Sequence, residues 1–182
     1  MNESERFSLG KHGDDYYSRT LNDAETFNET KKLLQSLIPA EEQLWENSPH
    51  GLLKHLTNDS MNSAESAINV YQQVIEPGGN SGKHRHLSEE IVFILEGDGY
   101  DLHWDPIFAA DEKYDWDWQL ESQRFEWRAG DFVYIPPNAI HQHFAGVSSR
   151  VRLLSATSQL VKVLMGTSGL QQIENSSYND ED

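Results

Sequence analysis

The pattern of apolar and polar positions changes character near Ala64. Residues 1–20 are polar and aperiodic and read as a tail. Between residues 21 and 38, Leu21, Ala24, Phe27, Leu33, Leu34, Leu37 and Ile38 recur at spacings of 3 and 4, which predicts a helix. Pro39 ends it, and Glu41–Glu46 predicts a second short helical stretch. Gly51–Leu56 is too short to type. Together these segments predict a helical N-terminal extension over 21–60.

Beyond Ala64 the period becomes that of strands. Ile68, Val70 and Val74 share one parity, and Gln72 falls on the same face. Residues 77–82 (Pro-Gly-Gly-Asn-Ser-Gly) form a turn-rich loop. Ile91–Leu95 is an apolar run of the kind expected for a strand buried on both faces. Tyr114, Trp116, Trp118 and Leu120 alternate with polar residues, and Phe125 and Trp127 resume the habit after a polar turn, which predicts a hairpin. Phe132–Ile135 is stopped by Pro136-Pro137-Asn138, and His141, His143, Val151 and Leu153 mark further strands. Many short strands punctuated by Gly, Pro and Asn predict an all-β sandwich or barrel over 61–165. Ser158–Ile173 reads as a short helix, and the chain from 166 to 182 as the end of that helix and an acidic tail.

A length of 182 residues suits one domain. Hydrophobic residues make up 37%, a low share that fits polar segments flanking a core, while five tryptophans argue against disorder. The net charge of −16 removes nucleic acid and anionic membranes from the expected partners. With no cysteine, disulfides, thiolate metal sites and cysteine nucleophiles are excluded. The N-terminus lacks an apolar leader core, and no run reaches ~18 apolar residues, so the expected address is cytoplasmic.

The chemistry concentrates in a few positions. His84 and His86 lie two apart, so on a strand both imidazoles project to one side. Glu90 follows four residues later, and His141 lies far away after the Pro-Pro turn. Three imidazoles and a carboxylate suit a borderline divalent metal. Glu89 competes with Glu90 as the carboxylate. His143 shares parity with His141 and is a candidate proton shuttle or substrate contact; Gln72 is a candidate inward polar group. His103 is a further inward candidate. Trp104, Trp116, Trp118 and Trp127 read either as an aromatic wall for a ring-bearing substrate or as packing. His12, His50 and His55 fall outside the constellation and read as structural or exposed.

These residues resemble a family pattern. Gly78-x5-His84-x-His86-x3-Glu90-x6-Gly97 is similar to the first cupin motif, and Gly130-x5-Pro136-x-Asn138-x2-His141 to the second. Asn138 stands where the second motif usually has glycine, and Ala145 where it usually closes on asparagine. Asn tolerates the left-handed backbone of a turn glycine, so the first departure is mild. The resemblance spans roughly residues 64–160. It implies a cupin jelly-roll barrel holding one divalent ion on His84, His86, Glu90 and His141, with Fe(II) foremost and Mn(II), Zn(II), Ni(II) or Co(II) as alternatives. It also implies a homodimer and a small-molecule substrate. The expected activity is an Fe(II) dioxygenase acting on a small aromatic or enol-like substrate, with His143 and Gln72 as catalytic residues. The alternatives are a non-oxidative metalloenzyme (isomerase, decarboxylase or lyase) and a non-catalytic binding protein.

Overall fold

The structure is a computed structural model and describes residues 21, 35–58, 61, 67–110 and 114–178. The chain divides into two units, Met1–Gln35 and Ser36–Asp182. The tail expected over 1–20 and most of the helix expected over 21–38 lie outside the described residues.

The second unit is built almost wholly from antiparallel strands. One sheet takes six of them: β1 (Leu44–Ser48), β2 (Gly51–Thr57), β3 (Ile68–Ile75), β12 (Val151–Ser158), β5 (Glu90–Glu96) and β10 (Phe132–Ile135), in that spatial order. The other runs β13 (Gln171–Glu174), β4 (Lys83–Arg85), β11 (Ile140–Ala145), β6 (Asp98–Trp104) and β9 (Gln123–Arg128). A separate ribbon pairs β7 (Pro106–Ala110) with β8 (Tyr114–Trp118), and one short helix, α1, covers Leu160–Met165. This is an all-β jelly roll.

Several expected elements differ. Glu41–Glu46 is not helical: a 3-10 turn at Ala40–Glu42 leads into β1, and β1 and β2 extend the larger sheet, so strands begin well before residue 61. Pairing of β1 with β2, which in turn pairs with β3, decides this segment, overriding its weak helical pattern. The hairpin expected between the Trp-rich run and Phe125–Trp127 does not form, because β8 pairs back onto β7 while β9 pairs with β6. Helix α1 ends at Gly166, left-handed at φ 75, and the chain beyond it forms β13 on the edge of β4 instead of more helix. Strand β5 is buried on one face only; Ile91 and Phe93 are exposed.

The interior is graded along its strands. At one end, Ile75, Val92, Ile94, Ile135, Ala145, Val151 and Leu153 form an apolar plug with Trp127. Moving along the same inward faces, Ile75 gives way to Gln73 and Tyr71 on β3, and Ile94 to Val92 and Glu90 on β5. Leu153 gives way to Ser155 on β12, and Ala145 to His143 and His141 on β11. Each strand therefore contributes apolar packing at one end and polar groups at the other. The plug supplies the stabilising burial that the polar end cannot.

Candidate metal centre and its cavity

The four expected ligands meet at the polar end. His84, His86, Glu90 and His141 are all buried, and one ligand atom from each lies within 4.8 Å of all the others. The two sheets bring them together: in one, His84 on β4 sits opposite His141 on β11, and in the other Glu90 opens β5. Asn138, at φ 64, takes the left-handed turn position, and its amide donates to His86 O at 2.8 Å, docking the Pro-Pro turn ahead of His141. Glu89 is exposed, which leaves Glu90 as the carboxylate of the group.

Local hydrogen bonds fix which atoms converge. The Nδ1 atoms of His84, His86 and His141 face the carbonyls of Gly82 (3.3 Å), Ser88 (2.7 Å) and Ala139 (3.0 Å). A carbonyl only accepts, so each Nδ1 carries a proton, which leaves each Nε2 as the nitrogen that can offer a lone pair to an ion. His141 Nε2 is buried without a hydrogen-bond partner. Glu90 is held in the same manner: the Tyr71 hydroxyl (3.2 Å) and the Ser155 hydroxyl both donate to Oε1, while Oε2 lies 2.8 Å from His86 Nε2 and 3.4 Å from His141 Nε2.

The protonation states follow from these contacts. Burial holds His84 well below its ordinary value and lowers His141. Burial would raise Glu90, but the neighbouring His141 and His86 rings keep it well below the usual carboxylate range. Burial also depresses His86, yet its bond to Glu90 raises it overall, so without an ion these two share a proton. Burial and the Glu90 charge push Tyr71 well above 10, which keeps it a donor. Three oriented imidazole lone pairs and one anchored carboxylate, with an unpartnered buried nitrogen among them, fit a divalent metal ion.

His143 lies beside this group and does not belong to it. Its Nδ1 is 2.8 Å from Asp101 Oδ1, and the Trp127 indole donates to the same oxygen at 2.8 Å. Burial would lower His143, but the Asp101 carboxylate raises it above its ordinary value. Asp101 in turn is depressed: burial opposes ionisation, and the His143 charge together with hydrogen bonds from His103, His143 and Trp127 outweighs it. His103 is inward as expected, 3.5 Å from Asp101 Oδ2.

Gln72 does not point inward. The buried parity of β3 is Tyr71, Gln73 and Ile75, opposite to that of Val70, Gln72 and Val74. The hydrophobic parity misleads because the interior at this end of the strand is the polar site. Tyr71 and Ser155 stand against the candidate site through Glu90, and His50 through His84, and the sequence pattern missed all three. The His50 ring meets His84 edge-on with centroids 4.3 Å apart, and burial, followed by His143, lowers it to about 3.

A cavity of about 510 Å³ opens onto His84 and His86, lined also by His50, His55, Leu53, Tyr71 and Glu46 among others. None of the tryptophans lines it. Trp127 is buried beside Asp101, Trp104 lies under the Lys83 ammonium at 3.9 Å, Trp118 under the Arg85 guanidinium at 4.5 Å, and Trp116 packs on Phe108. Of the two readings of these tryptophans, packing and cation–π stacking is the one the contacts support, and none of them lines this cavity.

No family model and no curated protein matches the chain. Among solved structures it is similar to a variant of oxalate decarboxylase from B. subtilis (15% identity, TM-score 0.55, covering 77% of this chain and 33% of that one). It is also similar to pumpkin seed globulin (13%, TM-score 0.56, covering 79% and 37%) and to a cupin-like protein from Thermotoga maritima (22%, TM-score 0.48, covering 68% and 76%). The chain spans about a third of the length of the first two. At these identities the likeness is one of fold: the chain shares the β-barrel fold of the decarboxylase and the globulin.

Proposed function

We propose that the chain is a metal-dependent enzyme, an Fe(II) dioxygenase acting on a small enol-like substrate bound in the cavity beside His84 and His86. The observation that carries the reading is the buried, mutually oriented group of His84, His86, Glu90 and His141 against a cavity of about 510 Å³, a volume suited to a small molecule. A divalent ion on these ligands supplies Lewis acidity and, when it is iron, dioxygen chemistry. The protein's own groups do the rest. Tyr71 and Ser155 hold the Glu90 carboxylate in place, Leu53 contributes apolar wall against water, and His143 holds a proton on the Asp101 side of the site.

A second reading, a non-oxidative decarboxylase, isomerase or lyase, is favoured by the His143–Asp101 pair, a buried proton carrier whose ring centroid lies 5.7 Å from that of His141. Oxygen dependence separates the two. Elemental analysis of the purified chain, paired with oxygen uptake against a panel of chelating enolic compounds, tests them. Stoichiometric iron with substrate-dependent uptake supports the first, and turnover without uptake supports the second. A chain that retains no metal overturns both. The reading carries a homodimer with it, supported by the exposed apolar pairs Phe132–Phe93 and Tyr134–Ile91 on the outer face of β5 and β10. Its mass in solution checks this.

A further inference from the structure

The turn that joins β1 to β2 is held at more points than a hairpin turn needs. Pro49 O accepts from Ser176 N at 2.8 Å, and His50 O accepts from Gly82 N at 3.0 Å and from Gln73 Nε2 at 2.8 Å. His50 N donates to Ser48 Oγ at 3.2 Å. The approach requires glycine at 82, where a Cβ would lie 2.7 Å from Pro49 O and 3.0 Å from His50 Cα. These anchors set the His50 ring 4.3 Å from His84, 6.2 Å from Tyr71 and 6.3 Å from His143, between centroids, on the cavity wall.

Both nitrogens of that ring are buried, and neither makes a hydrogen bond of full geometry among the described residues, although the Gly82 carbonyl lies near enough to act on the ring. A neutral imidazole carries one donor and one acceptor, and leaving both unmade in the interior is costly. A rigidly held polar group with unmet hydrogen bonds, facing a cavity beside a ligand cluster, is a preorganised contact for whatever fills the cavity.

We propose that His50 is the recognition residue of this site, accepting a hydrogen bond from a hydroxyl that a small chelating substrate carries next to its metal-binding oxygen. The inference rests on the metal-dependent reading above and deepens it by naming the substrate class: hydroxy or enolic oxygen chelators. His50 touches the substrate and leaves the metal to the four ligands.

The test uses the full chain reconstituted with Co(II) and two probes, glycolate and methoxyacetate. Both chelate through a carboxylate and a neighbouring oxygen, and only glycolate has a hydroxyl to donate. Affinity is read from the visible Co(II) spectrum. Wild type is expected to prefer glycolate about tenfold, the usual size of one hydrogen bond to a neutral group. H50F is expected to keep one Co(II) per chain and lose the preference. H50N, which retains a donor and an acceptor, is expected to keep part of it and stands in where the bulkier variant fails to fold. An unchanged preference in H50F, no preference in wild type, or loss of Co(II) from a folded H50F or H50N overturns the role given to His50. Wild-type chain that binds no Co(II) overturns the metal reading itself.

Discussion

The Tyr71 hydroxyl donates to Glu90 Oε1 at 3.2 Å, reaching from β3 across the intervening β12, whose own Ser155 donates to the same oxygen. Three adjacent strands thus fix one carboxylate, and Glu90 Oε2 is left to face the histidines. Tyr71→Phe removes one of the two anchors without changing the shape of the site. Metal affinity should fall about tenfold, the lower end of the range for groups that orient a ligand. A competition titration against a chelator of known affinity measures it, and an unchanged affinity would mean that Ser155 alone suffices.

His84→Ala and His141→Ala each remove a convergent nitrogen, and both should leave the purified protein without stoichiometric metal. His143→Ala should retain metal, with affinity or activity lower by about 10- to 100-fold. Metal analysis of the three variants side by side discriminates ligand from neighbour. A metal-free His143→Ala protein would place His143 among the ligands.

Asp101→Asn leaves the His143 ring buried without its anion. Breaking one side of a buried pair costs about 3–5 kcal/mol, so denaturant unfolding should show a loss of that order. The pH dependence has a definite sign. Asp101 is depressed below 3.8, so its contribution is present above that value and is lost as pH falls through the folded value. His143 is raised above 6.5, so its contribution is complete below 6.5 and is lost as pH rises through the folded value. The contribution of this pair to the stability of the metal-free protein should therefore be greatest between those limits. The Asn variant should show a flatter profile, checked by unfolding across that range.

Gly82→Ala should displace the β1–β2 turn or the start of β4, since the added methyl meets backbone on the turn side. A cost of about 2 kcal/mol corresponds to roughly 4–8 °C in a chain of this size. Thermal unfolding measures it, and metal affinity should fall with it because His84 is two residues away. Unchanged values in both measurements would mean that the turn yields freely.

The motif positions were legible because metal ligands impose fixed spacings. His84, His86 and Glu90 fall on and beside short strands, and His141 follows a turn whose residues announce it. The groups that support them were not legible in the same way. Tyr71, Ser155 and Asp101 reach the site through pairings between strands distant in sequence, and no local period reports those pairings. Gln72 was misplaced for a related reason: parity rules assume an apolar interior, and this interior turns polar where the site begins. The β1–β2 hairpin was missed because its apolar content is slight and its sheet partners supply its stability.

The graded interior also governs traffic. With Ile75, Ile94, Val151 and Leu153 filling one end, a molecule at the histidine cluster has its approach on the side of Tyr71 and His50. On the enzymatic reading proposed above, product and fresh substrate would share this approach, which makes departure a natural candidate for the step that paces each cycle.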